Sequence, residues 1–193
     1  MKFFKLYIHL FLLASLILAQ DQASFAGSFL RMGSSARSIA MGSAFTAEID
    51  EGFAAYNNPA SMVFLEKRQV GFNHHFLPLD RRFTATNFSM PLPPTASLGV
   101  AWISAGVDKI DGRSSAGEHT QYLSTSEDAL MISFSQQIFS WISAGLNVKV
   151  LKHQLPMNTM DVAGKGVGMD FGVFVRTKAG SNLAFMVQDL NSR

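Results

Sequence analysis

The sequence predicts an all-β protein: an antiparallel transmembrane β-barrel, of which about seven strands are present, behind a short helical N-terminal hatch. Three observations predict it. In "GKGVGMDFGVFVRT" (residues 164–177) Val167, Met169, Phe171, Val173 and Val175 occupy every second position, the period at which strand side chains alternate between faces. The opposite face of this and similar segments is mostly Gly, Ala, Ser and Asn with isolated charges, unlike the Lys, Glu and Thr of a solvated sheet. From about Arg68 onward no helical period interrupts the alternation, which disfavours an α/β fold.

The chain opens with a basic n-region (Lys2, Lys5) and an apolar run from Leu6 to Leu18, followed by Ala19. This is the pattern of a secretory signal peptide cut after Ala19, and the run is shorter than the roughly 20 apolar residues of a membrane anchor. Residues 1–19 are therefore expected to be a leader, 20–66 a hatch segment and 67–193 the N-terminal part of a barrel. Removing Lys2 and Lys5 from the sixteen basic residues leaves fourteen, against fourteen acidic ones. A neutral mature chain lacks the clustered basic patch that a nucleic-acid partner requires. With no cysteine there is no disulfide, thiol chemistry or Cys-based zinc site.

Ala36 to Met62 is rich in Ala and Gly and reads as short helical turns, with Asp50 placed to cap a turn at Glu51 and Asn58-Pro59 as a stop. Seven strands follow. Gln69 to Phe76 puts Val70, Phe72 and Phe76 on one side. Phe83 to Met90 shows no assignable faces. Ser97 to Gly106 sets Leu98, Val100 and Trp102 against Gly99, Ala101 and Ala105. Ala129 to Ile138 alternates Leu130, Ile132 and Phe134 with Met131, Ser133 and Ser135. In Ser143 to Lys152, Ala144, Leu146, Val148 and Val150 oppose Gly145, Asn147 and Lys149. The stretch quoted above is sixth, and Leu183, Phe185 and Val187 against Ala184, Met186 and Gln188 form the seventh. Two connections are long, Val107 to Asp128 and "HQLPMNTMDVAG", and both fall at one end, as the external loops of a transmembrane barrel do.

A soluble sandwich also alternates, so the alternative is a secreted β-sandwich. Charge distribution favours the barrel. A Lys or Arg facing lipid at mid-bilayer costs about 2–4 kcal/mol, and none of the six assignable apolar faces has a charge at its centre. The small polar faces, with Asn147, Lys149, Asp170 and Arg176, are then expected to line a lumen, where a hydrated charge at position 170 is tolerated. Trp141 in a turn and Tyr122 ahead of a strand suit interfacial belts.

Two stretches resemble the PorV/PorQ family of outer-membrane proteins, within the FadL-like barrel superfamily. "GSSARSIAMGSAFTAEIDEGFAAYNNPASM" resembles that family's N-terminal signature at Gly33, Ala36, Arg37, Met41, Gly42, Ala44, Asp50, Glu51, Tyr56, Asn58, Pro59 and Ala60. Asn57 stands where the family usually has Trp, and Ser61 where Gly is common. "SAGLNVKVLKHQL" through "VQDLNS" looks like paired mid-barrel strands. The resemblance implies an outer-membrane barrel of about fourteen strands, of which this chain supplies half. It implies outer-membrane lipid and type IX secretion components or secreted cargo as partners, with no cofactor. A FadL-like channel for hydrophobic small molecules is the alternative. An odd strand count and the absence of a terminal aromatic in "DLNSR" predict an N-terminal fragment.

No enzymatic chemistry is expected. "GKGVG" lacks the Lys-Ser/Thr and helix of a phosphate loop. His74 and His75 point to opposite faces of a regular strand, so they do not chelate together. No Gly-x-Ser-x-Gly spacing occurs among the Ser, His and Asp residues of 108–128. Arg37 and Asp50 are candidates to pair with each other or with charges such as Asp170 and Arg176.

Overall fold

Alternation of apolar and small side chains folds the C-terminal region into one seven-stranded antiparallel sheet in strict sequence order. The computed structural model describes residues 27–49, 52–157 and 160–190, excepting the side chains of 156–162. The expected leader, Asp50 and Glu51 lie outside the described residues. The strands are β1 (Gln69–Leu77), β2 (Arg81–Leu92), β3 (Ala96–Arg113), β4 (His119–Phe139), β5 (Ile142–Met157), β6 (Met160–Arg176) and β7 (Asn182–Leu190). Among the described residues β1 and β7 are edges, not paired to each other.

The two long connections are corrected by this sheet. Val107 to Asp128 is mostly ladder, because β3 and β4 stay paired out to Arg113 and His119, with a register shift between Val107 and Ile110. β5 and β6 likewise pair as far as Met157 and Met160. Alternation fades there because outward positions turn polar, while the backbone pairing continues. Tyr122 accordingly lies within β4, opposite Asp111, rather than ahead of a strand. We call this the hairpin end, and the end with Pro93–Thr95, Ser140–Trp141 and Thr177–Ser181 the short-turn end.

One face of the sheet is covered and the other open. Short elements precede β1: a 3₁₀ helix Ser28–Met32, α1 (Ala36–Ala40), α2 (Ala54–Asn57) and a second 3₁₀ helix Pro59–Phe64. The Pro59–Phe64 turn contacts β2 through β6. On the covered face, Phe83, Ile103, Met131 and Leu151 pack with Phe29, Leu30 and Phe53 near the hairpin end. Toward the short-turn end the same face carries buried Ser97, Ser133, Ser135, Ser143 and Asn147. β2 is now assignable: Phe83, Ala85, Asn87 and Ser89 are covered, and Thr84, Thr86, Phe88 and Met90 face out.

The open face is apolar. A single rung of cross-strand partners runs Val70, Phe88, Val100, Ile132, Val148, Met169, Leu190 through all seven strands, and every one is at least 39% exposed. No helix among the described residues is long and apolar enough to cross a membrane.

Candidate functional site

The covered face holds the N-terminal segment by its main chain. A segment without regular structure leaves carbonyls unpaired, and buried ones need donors. The sheet supplies them from small polar side chains. Asn87 Nδ2 donates to Gly52 O (2.5 Å), Ser97 Oγ to Met62 O (3.0 Å), Ser143 Oγ to Ala60 O (2.6 Å) and Asn147 Nδ2 to Ala55 O (3.0 Å). Glycines let the segment approach the sheet: a Cβ at Gly145 would overlap the Pro59–Ala60 main chain, and one at Gly172 the Asn58 side chain.

Asn58, Pro59 and Ala60 of the family-like signature form the centre of this contact. Asn58 is fully buried; its Oδ1 accepts from Ala60 N–H (3.0 Å) and its Nδ2 donates to Thr46 O (3.0 Å). Both departures from the family pattern join the network. Ser61 Oγ donates to Asn58 O (2.9 Å), and Ser34 Oγ donates to Asn57 Oδ1 (3.2 Å). Ala36 opens α1 behind a Ser35–Ser38 capping box. Met41 caps its C-terminus, 44% exposed. Gly33 (φ 90°) and Gly42 (φ 63°) take left-handed backbone, which suits glycine.

Beside this contact lies a buried charge cluster. Lys149 Nζ is 2.6 Å from Asp170 Oδ1 and 2.5 Å from Asp189 Oδ1. Asp170 Oδ1 also accepts Asp189 N–H (2.9 Å), and its Oδ2 accepts Asn147 Nδ2 (3.1 Å). Lys149 and Asp170 are 2% and 0% exposed. Asn147, Lys149 and Asp170 thus share one face of the sheet, the one that the N-terminal segment covers. Asp189 was not expected here, since alternation from Leu183, Phe185 and Val187 places it outward. A bulge sets Gln188 and Asp189 against Asp170, Asp189 adopts φ 59°, and its carboxylate turns inward. The signal in the sequence is a lone Asp at an apolar position of a regular strand.

Tyr56 completes the wall of a cavity of about 290 Å³ over this cluster, together with Leu30, Phe45, Lys149, Asp170 and Asp189. Burial, and then the charges of Asp189 and Asp170, push the Tyr56 phenol well above its ordinary pKa. The other site candidates stay apart. Arg37 lies over the Phe45 ring (5.3 Å) and Arg176 over the Phe64 ring (4.9 Å), so neither joins Asp170. A second cavity of about 480 Å³ opens at the hairpin end, lined by Phe29, Met32, Leu77 and Leu155, with Arg82 and Glu127.

Every polar group of Lys149 and Asp170 is directed at a neighbour in the cluster, so the arrangement fixes the segment and the strands together. His74 Nδ1 meets Thr84 Oγ1 (2.7 Å), whereas the His75 ring packs on Phe83 across the sheet. No cluster of three metal-ligating side chains occurs among the described residues. Compared with family models and with curated proteins, the chain matches none.

Proposed function

We propose that the chain is the N-terminal part of a non-enzymatic outer-membrane β-barrel, PorV/PorQ-like, that binds secreted cargo or partner proteins of a type IX secretion system. The observation that carries the membrane reading is the seven-strand apolar rung and its neighbours. Above it run Phe72, Thr86, Trp102, Leu130, Val150 and Val167, and below it Met90, Leu98, Phe134, Leu146, Phe171 and Val187. No Asp, Glu, Lys or Arg interrupts these rungs. A contiguous apolar surface of this extent exceeds what soluble monomers expose. Lipid suits it, and closure of the sheet by further strands would pair the edges of β1 and β7. Phe139 and Trp141, stacked 6.0 Å apart at the short-turn end, suit an interfacial aromatic belt.

The inward face supports protein binding over conduction. Asn87, Ser97, Ser143 and Asn147 commit donors of this face to the hatch main chain, which makes the hatch a built-in filling. Recognition then falls to the projecting hairpins, chiefly the β3–β4 tip, where Asp111 holds both Arg113 (2.7 Å) and His119 (2.5 Å). The second reading, a FadL-like channel for hydrophobic molecules, is favoured by the mostly apolar cavity at the hairpin end. Trimming residues 109–122 in the full-length protein separates the two. Lost cargo attachment with fatty-acid uptake at background supports the first; uptake that depends on the hatch, with secretion untouched, supports the second.

A further inference from the structure

The apolar surface of the open face ends on one rung. Directly next to Phe72, Thr86, Trp102, Leu130, Val150 and Val167, the next outward rung toward the hairpin end is His74, Thr84, Ser104, Asp128, Lys152, Lys165. Every residue of it is polar. Lys152 and Lys165 are Cα partners on β5 and β6, a separation of about 5 Å in an antiparallel pair. Both are exposed, and among the described residues neither makes an ion pair. Asp128, the Cα partner of Lys152 on the other side, makes no ion pair with it among the described residues, and Glu127 lies on the covered face against His153 (3.1 Å). Like charges placed opposite each other across a ladder repel. Here the pair stands where an apolar surface meets its polar border.

We propose that Lys152 and Lys165 form a binding site for the phosphate of an anionic lipid, whose acyl chains lie along Val150, Val167, Val148 and Met169 below. The inference rests on the membrane reading above and adds a ligand to its surface. Two ammonium groups on one rung share a phosphate between them and so relieve their mutual repulsion. The apolar side chains directly beneath supply the contact that a free anion would not use. Charge and grease in this order select a lipid headgroup over soluble phosphate.

The test is reconstitution of the full-length protein into phosphatidylcholine vesicles with and without spin-labelled phosphatidylglycerol, reading the immobilised fraction. Wild type is expected to prefer phosphatidylglycerol, and the double variant K152Q/K165Q to lose about tenfold of that preference. K109Q, changed in the β3–β4 hairpin, is expected to keep it, and inorganic phosphate to displace little. Equal preference in wild type and K152Q/K165Q overturns the lipid site while leaving the membrane reading intact. Displacement by millimolar phosphate overturns it in favour of a free-anion site. Failure to enter either vesicle overturns the membrane reading and this inference together.

Discussion

Lys149 on β5 reaches Asp189 on β7 across the intervening strand, with Nζ 2.5 Å from Oδ1, while Asp170 on β6 sits between them. Three neighbouring strands are therefore tied on their buried face by one cation and two carboxylates. Truncating the cation leaves two buried carboxylates facing each other. Lys149→Met is expected to cost about 3–5 kcal/mol. Asp170→Asn keeps Lys149 paired with Asp189 and should cost only about 1–2 kcal/mol. Unfolding midpoints in detergent measure both, and equal losses would mean that Lys149 is not the hub.

The same cluster reverses the sequence-based expectation that an arginine at position 170 is tolerated. Asp170 is fully covered, so Asp170→Arg sets a guanidinium against Lys149 beneath the N-terminal segment. It should prevent folding in detergent as well as in lipid.

Arginine on the open face should act only through the membrane. Ile132→Arg, on the seven-strand rung, is expected to cost about 2–4 kcal/mol of assembly in bilayers, and Ser126→Arg, on the same face beyond Asp128, about 0–1 kcal/mol. Both should be mild in detergent. A bilayer penalty that does not differ between the two would refute the placement of the apolar band.

Much of this was readable from the residues, and the failures share causes. β3 through β7 showed their faces because one side is uninterrupted aliphatic and aromatic. β2 hid its faces because Asn87 and Ser89 point in while Thr84 and Thr86 point out, so polarity marks neither side. The outer lengths of β3 to β6 read as loops in the sequence because their outward positions, such as Asp128 and Lys152, are polar above the band. Asp189 escaped notice because a bulge breaks the period of two. In the hatch, residue types showed short turns. Which carbonyl meets which donor of the sheet depends on contacts 35 to 92 residues apart, and no local pattern encodes those.

Alkali should loosen the hatch through Tyr56. Its phenol pKa is raised in the folded protein, by burial first and by Asp189 and Asp170 next. The protonated form is thus the one that fits. That contribution to stability is full below the unfolded value of about 10 and falls as pH rises beyond it. Tyr56→Phe should flatten the alkaline loss of stability, measured as the unfolding midpoint across alkaline pH.

Glycines under the hatch should resist substitution. Gly145→Ala pushes a methyl into the Pro59–Ala60 main chain and Gly172→Ala into the Asn58 side chain, each at about 1–3 kcal/mol, and both should raise protease cleavage of the N-terminal segment. Gly164→Ala meets only His153 Cβ at 3.9 Å and should leave cleavage unchanged.

The donors that grip this segment come from β2, β3 and β5, yet their acceptors all fall between Gly52 and Met62. One short length of main chain is therefore shared by three strands, and it works as a common anchor for them. Bulk added anywhere along that strip should pull several donors from their acceptors at once, so its effects on β2, β3 and β5 should appear together.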